Sequence, residues 1–353
     1  MDKVKRIGML TSGGDSPGMN AAVVSVARCA MRKGFQLMGI KRGYNGLLGL
    51  SENPEDDIEY LDPETVLDIM DMRGTYLRTA RCLPFLQPEV RAKAAEDLRR
   101  QGIQALVVIG GDGSYHGALE LCKLGIPCIG IPGTIDNDLN YTDATIGFDT
   151  ALNTALDCLN RIRETSDSHE RASLVTVMGR NCGDIAVHTA LACGAEIVLI
   201  PEVKWSIEEV AEKVKWGVLK GKSSMIIIVA EGAFSSMTSD VKALCESNDK
   251  LAGVLSQQMD SGQLARIIEA LSGHDTRATV LGYIQRGGSP TATDRILATR
   301  MGQRAVELLR DDTYGLAIGM RENRIIEVPI AEARNRGGDF NASLYNLIGT
   351  VSG

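Results

Sequence analysis

A chain of 353 residues with 44% hydrophobic content has ample material for a core, and its length points to two domains or one large split domain. Aromatic residues are sparse at 4%, so Val, Ile, Leu, Ala and Met must fill that core. A formal net charge of -7, with both signs spread along the chain, argues against a grip on nucleic acid, which needs a basic face, but leaves room for anionic ligands wherever arginines cluster.

The apolar run after the charged N-terminal residues stops at Thr11, too soon for a secretory leader. The longest continuous apolar stretch, Met225–Ala230, is far too short to cross a bilayer. Short Val/Ile-rich runs recur at residues 7–10, 105–109, 128–131, 174–177, 197–200, 225–230 and 279–281. They are almost continuously apolar, the pattern of strands covered on both faces. Between them, residues 20–33, 90–100 and 151–163 have helical periodicity. Such alternation predicts an α/β architecture with largely parallel sheets, in which ligands sit beyond the carboxyl ends of the strands. Eight cysteines and four histidines show no Cys-x-x-Cys pair and no zinc spacing, so free thiols in a reducing cytosol are expected.

Three strands are followed by glycine-rich polar segments. The first reads Thr11-Ser12-Gly13-Gly14-Asp15-Ser16-Pro17-Gly18-Met19-Asn20, the second Gly110-Gly111-Asp112-Gly113-Ser114, the third Pro132-Gly133-Thr134-Ile135-Asp136-Asn137-Asp138. Glycine lets backbone N–H groups approach an anion, and a helix starting just afterwards adds partial positive charge. Neither early loop matches the Walker or the dinucleotide pattern, and a tight strand-helix turn is the plain alternative for each. Asp112 beside a polyphosphate calls for a mediating cation, naturally Mg²⁺; otherwise it caps a helix. Asp136 is placed to accept a proton from an attacking hydroxyl and Asp138 to sit nearer a metal, unless both are turn residues.

Together these segments resemble the bacterial-type 6-phosphofructokinases over about residues 4 to 340. The resemblance continues through Val177-Met178-Gly179-Arg180, Ala230-Glu231-Gly232 and Leu281-Gly282-Tyr283-Ile284-Gln285-Arg286-Gly287-Gly288. It implies two Rossmann-like three-layer α/β/α domains with mainly parallel sheets. Residues 1–146 plus about 284–335 would bind ATP. Residues 147–283 plus the tail 336–353 would bind the sugar phosphate and an effector. It also implies transfer of the γ-phosphoryl of Mg-ATP to the 1-hydroxyl of fructose 6-phosphate. Asp136 would be the general base, Gly14 and Thr134 would hold the moving phosphoryl, and Arg180 would stabilise the developing charge. Asp112 would ligand Mg²⁺, with Asp138 near it. Tyr44, Arg81, Cys82, Gly111, Gly113 and Ser114 would meet ATP. Ile135, Arg171, Met178, Gly179, Glu231, Arg277, Tyr283 and Arg286 would meet the sugar phosphate, some of them across a subunit boundary. This agrees with the demands of phosphoryl transfer, which needs positioning and charge neutralisation more than covalent chemistry.

The family divides between ATP and pyrophosphate as donor, and glycine at both 113 and 133 implies ATP by leaving room for its inner phosphate. Arg73, Arg78, Leu86 and Tyr283 depart from the family pattern around nucleotide and 6-phosphate. At the allosteric nucleotide site, Arg28, Arg163, Glu196, Lys220 and Lys222 match, whereas Val24, Pro63 and Ser224 replace basic residues, so purine-nucleotide activation should be weak. Between Glu231 and Arg277 the chain is longer than in short relatives. Leu251, Val254 and Leu255, then Leu264, Ile267, Ile268 and Leu271, predict an added amphipathic helix, at a subunit contact or over its own core. The resemblance further implies a cytoplasmic homotetramer with neither membrane nor nucleic-acid partners. The competing readings are a pyrophosphate-dependent enzyme and a non-catalytic regulator that binds the same ligands.

Overall fold

The computed structural model describes residues 6–70, 72, 74–251, 253–254, 259–334 and 341–351; the expectations placed on Arg73 and Leu255 lie outside them. In chain order the elements are β1 (Arg6–Ser12), α1 (Met19–Arg32), β2 (Gln36–Ile40), α2 (Tyr44–Leu47), β3 (Ile58–Tyr60), α3 (Pro63–Ile69), α4 (Pro88–Arg100), β4 (Ala105–Gly110), α5 (Asp112–Lys123), β5 (Cys128–Pro132) and α6 (Phe148–His169). There follow β6 (Ala172–Val177), α7 (Asp184–Cys193), β7 (Ile197–Leu199), α8 (Ile207–Leu219), β8 (Met225–Ala230), α9 (Val241–Glu246), α10 (Ser261–Ser272), β9 (Thr276–Val280), α11 (Ala292–Arg310), β10 (Leu316–Arg321), β11 (Arg324–Pro329), α12 (Ile330–Ala333) and α13 (Ala342–Val351). Each of the seven apolar runs falls on a strand, with Ile200 and Leu281 just beyond the ends of β7 and β9, but the expected cover on both faces fails for β9, an edge strand exposed from Arg277 to Val280. The chain divides into two compact units, Met1–Thr150 with Arg286–Gly338, and Ala151–Gln285 with Asp339–Gly353.

In the first unit a seven-stranded sheet has the order β11-β10-β5-β4-β1-β2-β3. All pairings are parallel except β10 with β11 and β2 with β3. Successive side chains of a strand point to opposite faces, which builds two cores. Ile7, Met9, Val107, Ile109, Ile129 and Ile131 face α1 and α11 on one side. Leu10, Leu106, Val108 and Cys128 pack under α4 and α5 on the other. Both sides are therefore apolar, as β4 (Ala-Leu-Val-Val-Ile-Gly, wholly buried) requires. Each such Val, Leu or Ile contributes about 1.5–3 kcal/mol of burial.

The sheet order sets the site. The chain lays β2 and β3 on one side of β1, then returns to place β4 and β5 on the other, so β1 and β4 flank a topological switch point. Ser12 pairs in register with Gly110, and Gly110 with Pro132. Three strands thus end on one rung, and the three glycine-rich loops leave the sheet side by side.

The second unit holds a four-stranded parallel sheet, β7-β8-β6-β9. Val177 is in register with Ala230, so the loops after β6 and β8 emerge together. The expected added helix is α10. Its Leu264, Ala265, Ile267 and Ile268 are buried, and it packs on α8, β9 and β6, covering its own unit's core. An Asp260/Gln263 capping box starts it and Gly273, with φ 76°, ends it. Leu251 lies in a separate short 3-10 turn. Among the described residues no helix is long and apolar enough to cross a membrane.

Candidate active site

The loop after β1 is tied down from several directions. Gly13 (φ 92°) donates its N–H to Ala80 O at 3.3 Å, Thr79 Oγ1 donates to Gly13 O at 2.9 Å, and Thr11 Oγ1 donates to Arg78 O at 2.5 Å. Residues 78–80 therefore line this loop, and Arg78 reaches it with a left-handed backbone, φ 54°. Arg81 is exposed and Cys82 half-buried just beyond, with Leu86 largely exposed. A cavity of about 680 Å³ opens beside the loop, bordered by Asp15, Asn20, Thr75 and Arg286.

The second loop is bound to the first. Ser114 Oγ donates to Ser12 O at 2.9 Å, and a side chain on Gly110 would run into that same carbonyl. Gly111 caps α5 without a side-chain bond, so Asp112 is the first helical residue, where an acidic group complements the positive helix end. Its carboxylate accepts from Arg334 Nε at 3.2 Å. Tyr44 is buried, with its ring stacked on Phe85 at 4.1 Å and its hydroxyl donating to Ser114 O at 2.7 Å. The ring supports the α5 end from beneath, and burial pushes its phenol well above the ordinary value. Arg42, the neighbour of Gly43-Tyr44, donates to the buried Asp57 at 2.8 Å.

The third loop is closed at its base by the Gly133–Ile146 bridge and by Ile146 N–H donating to Pro132 O at 2.9 Å. Within it Thr145 Oγ1 donates to Thr134 O at 2.6 Å, and Asp136 N–H donates to Thr134 Oγ1 at 3.2 Å. Ile135 is buried and anchors the loop, while Asp136 and Asp138 are half-buried. Gly133 N–H donates to Gly110 O at 3.1 Å, which links the second and third loops. Arg286 also belongs to this unit. Its Nη1 is 3.4 Å from Asp15 Oδ1, and its guanidinium lies against Gly14, where any side chain would collide with it. The two glycines of the donor argument differ. A Cβ at Gly113 would meet open space, but one at Gly133 would come within 2.9 Å of Ile109 and 3.1 Å of Met19. Packing is thus a second reason for glycine at 133, and Gly113, with open space around it, bears on the donor more directly.

In the second unit the loops after β6 and β8 interlock. Arg180, with φ 55°, donates its backbone N–H to Glu231 Oε1 at 2.8 Å, and Glu231 N–H donates to Val177 O at 2.9 Å. Gly179 has φ 132°, and a side chain on Gly232 would strike Arg180 O. Met178 is buried, its N–H 3.4 Å from Gln285 Oε1. Arg171 precedes β6, half-buried, and among the described residues its buried Nε has no hydrogen-bond partner. Arg277 is exposed on β9, paired with Asp275 at 2.8 Å, and Tyr283 is 82% exposed.

The expected effector residues fall in both units. Arg28 is exposed on α1. Arg163 donates to Cys193 O at 2.8 Å, Glu196 pairs with Lys222 at 3.3 Å, and Lys220 is an exposed C-cap of α8. Val24 is buried in the core, Pro63 opens α3, and Ser224 donates to Asp167. Sequence reasoning missed Arg334 and the Arg42–Asp57 pair. Arg334 lies 222 residues from its partner and belongs to no motif, so only the fold reveals it.

The family profile described as Phosphofructokinase matches residues 6–309. The chain is 47% identical over 349 residues to ATP-dependent 6-phosphofructokinase 1 of Clostridium perfringens, covering 99% of this chain and 100% of that one. It is 48% identical, with the same coverage, to the ATP-dependent 6-phosphofructokinase of Clostridium tetani. Phosphofructokinase from Saccharomyces cerevisiae superposes with a TM-score of 0.81 at 34% identity over 99% of this chain, which spans 48% of the yeast chain. A pyrophosphate-dependent phosphofructokinase from Marinobacter aquaeolei shares the fold, with a TM-score of 0.76 at 22% identity over 99% of this chain and 92% of that one. With a profile over most of its length and near-half identity to full-length relatives, the chain belongs to the phosphofructokinase family.

Proposed function

We propose that the chain is an enzyme that transfers the γ-phosphoryl group of ATP to the 1-hydroxyl of fructose 6-phosphate, giving fructose 1,6-bisphosphate and ADP. The observation that carries this reading is full-length similarity to ATP-dependent 6-phosphofructokinases, joined to three glycine-rich loops that leave one rung of the first sheet. The first unit binds ATP and the second binds the sugar phosphate. The α5 end, with Gly111, Gly113 and Ser114, receives the inner phosphates, supported by the helix dipole. Tyr44 acts through Ser114 rather than by touching the nucleotide, while Arg81 and Cys82 border it. Gly14 and Thr134 hold the transferred group. Asp136 takes the proton from the attacking hydroxyl, and Ile135 holds its loop in place. Met178, Gly179 and Glu231 orient the sugar, and Arg180 balances the charge that grows on the reacting oxygens. Arg171, Arg277 and Arg286 meet the 6-phosphate, with Tyr283 adding one neutral hydrogen bond.

Asp112 and Asp138 offer hard oxygen donors on two adjoining loops, the kind of donor set Mg²⁺ uses when substrate phosphates complete its shell. Bound there, Mg²⁺ would neutralise phosphate charge. Asp112 would hold it and Asp138 would stand close by. We place the enzyme in the cytoplasm as a homotetramer, with Arg28, Arg163, Glu196, Lys220 and Lys222 forming a weak effector site. The assignment of the base is tested by Asp136→Ser, which should lower kcat about 10²–10⁴-fold and leave the KM for fructose 6-phosphate nearly unchanged. Near-native turnover in a folded variant would refute it.

A further inference from the structure

The catalytic loop is fastened at its far end by a residue from a distant element. Asp294, in the first turn of α11, is 1% exposed. Its Oδ1 accepts from Gly147 N–H at 2.8 Å, and its Oδ2 accepts from Thr150 N–H at 2.8 Å and from the Thr150 hydroxyl. A carboxylate from α11 thus satisfies donors at the start of α6, a role that a local capping side chain usually fills. The tie is mutual, because Thr291, the N-cap of α11, donates its N–H to Thr150 Oγ1 at 3.0 Å and its hydroxyl to Asp149.

Two further contacts meet at the same point. Ser16, from the loop after β1, donates its hydroxyl to Ile146 O. Gly147 has φ 104°, and any side chain there would strike Ser16 Oγ and Pro17 O. Residues 146–147 are therefore the knot where the first loop, the end of the third loop and the start of α11 are joined. The Gly133–Ile146 bridge transmits that knot to the base of the segment carrying Thr134 and Asp136.

We propose that Asp294 is a positioning residue for phosphoryl transfer, holding the Gly147–Thr150 end of the catalytic loop so that Asp136 keeps its reacting geometry. The proposal rests on Asp136 being the base. Burial pushes the Asp294 carboxyl above its ordinary value while bonds from Thr150 and Gly147 pull it back, so the charged form carries a desolvation cost. Apolar packing would fill the same space without that cost, and what the carboxylate adds is direction: three donors converge on two fixed oxygens.

The test is Asp294→Asn, made alone and in the Asp136→Ser background. Alone it should lower kcat about 10–100-fold with both KM values within about threefold, because a small misplacement of a catalytic group is costly. In the Asp136→Ser background the further loss should shrink to under about threefold, since the loop no longer carries a base to misplace. Native kcat in Asp294→Asn, or an equal loss in both backgrounds, would overturn the proposal. Should Asp294→Asn fail to fold, Thr150→Val carries the same cycle, with an expected loss of about three- to tenfold. Unchanged kcat or full additivity there overturns the proposal equally. Native turnover in Asp136→Ser alone would overturn the base assignment and this proposal with it, whereas a crippled Asp136→Ser beside a native Asp294→Asn overturns this proposal alone.

Discussion

Arg334 Nε lies 3.2 Å from Asp112 Oδ1, tying the end of α12 to the first residue of α5. On the reading above, a metal ion reaching Asp112 competes with this guanidinium. The two side chains are 31% and 14% exposed, so the pair is worth about 0.2–1 kcal/mol at most after screening. Arg334→Met should therefore lower the Mg²⁺ concentration that half-supports ADP binding in calorimetry by up to about fivefold. A higher Mg²⁺ requirement would contradict the competition and assign Arg334 to the phosphates instead.

Gly113 and Gly133 should respond differently to added side chains. Gly113→Asp enters open space at the second position of α5, so the melting temperature should hold or rise while the KM for ATP increases about tenfold or more. Gly133→Ala forces Cβ against Ile109 and Met19 and should cost about 1–3 kcal/mol of stability. Equal melting temperatures for the two variants would refute the packing argument.

Much of the architecture was legible because six strands, β1, β4, β5, β6, β7 and β8, are buried on both faces and so are almost continuously apolar, whereas β9 showed only through its short end run and is exposed from Arg277 to Val280. Four strands fall outside those runs: β2 and β10 are largely buried but short, each with a glycine inside it that breaks the branched apolar pattern, while β3 and β11 are of another kind. β3 is three residues long and half-exposed, and β11 is half-buried along most of its length. The β10–β11 hairpin turns on Glu322 and Asn323, both with φ near 50–60°, a two-residue loop whose Glu-Asn sequence lacks the usual glycine. The glycine-rich loops could be read because their chemistry is local. Arg334, Asp294 and Asp57 could not, because each acts on a residue brought to it only by the sheet order or by a turn of ordinary composition.

Asp62 caps α3, accepting from Thr65 N–H at 2.7 Å and from the Thr65 hydroxyl at 2.8 Å. The Thr65 backbone bond leads in holding its carboxyl below the ordinary value. A depressed folded value means the cap stabilises above the unfolded value of about 3.9 and fades as pH falls through the folded one. Asp62→Ala should melt earlier than the parent at neutral pH, with the gap narrowing below about pH 4. A gap that is constant from neutral to acid pH would show that the charge is irrelevant there.

Purine-nucleotide activation should be feeble. Val24 faces the core, Pro63 and Ser224 carry no charge, and Lys222 is already paired with Glu196. Millimolar ADP should shift half-saturation by fructose 6-phosphate less than about threefold, below the 5–150-fold range of ordinary allosteric coupling. A sigmoidal curve made hyperbolic by ADP would contradict this.

The reaction is tested by product stoichiometry from purified protein supplied with Mg²⁺, fructose 6-phosphate and either ATP or pyrophosphate. ATP should give one ADP for each fructose 1,6-bisphosphate, with turnover in the range of about 1–100 per second common to kinases, and pyrophosphate should give little or no product. Product formed preferentially from pyrophosphate, or binding of both ligands without turnover, would contradict it.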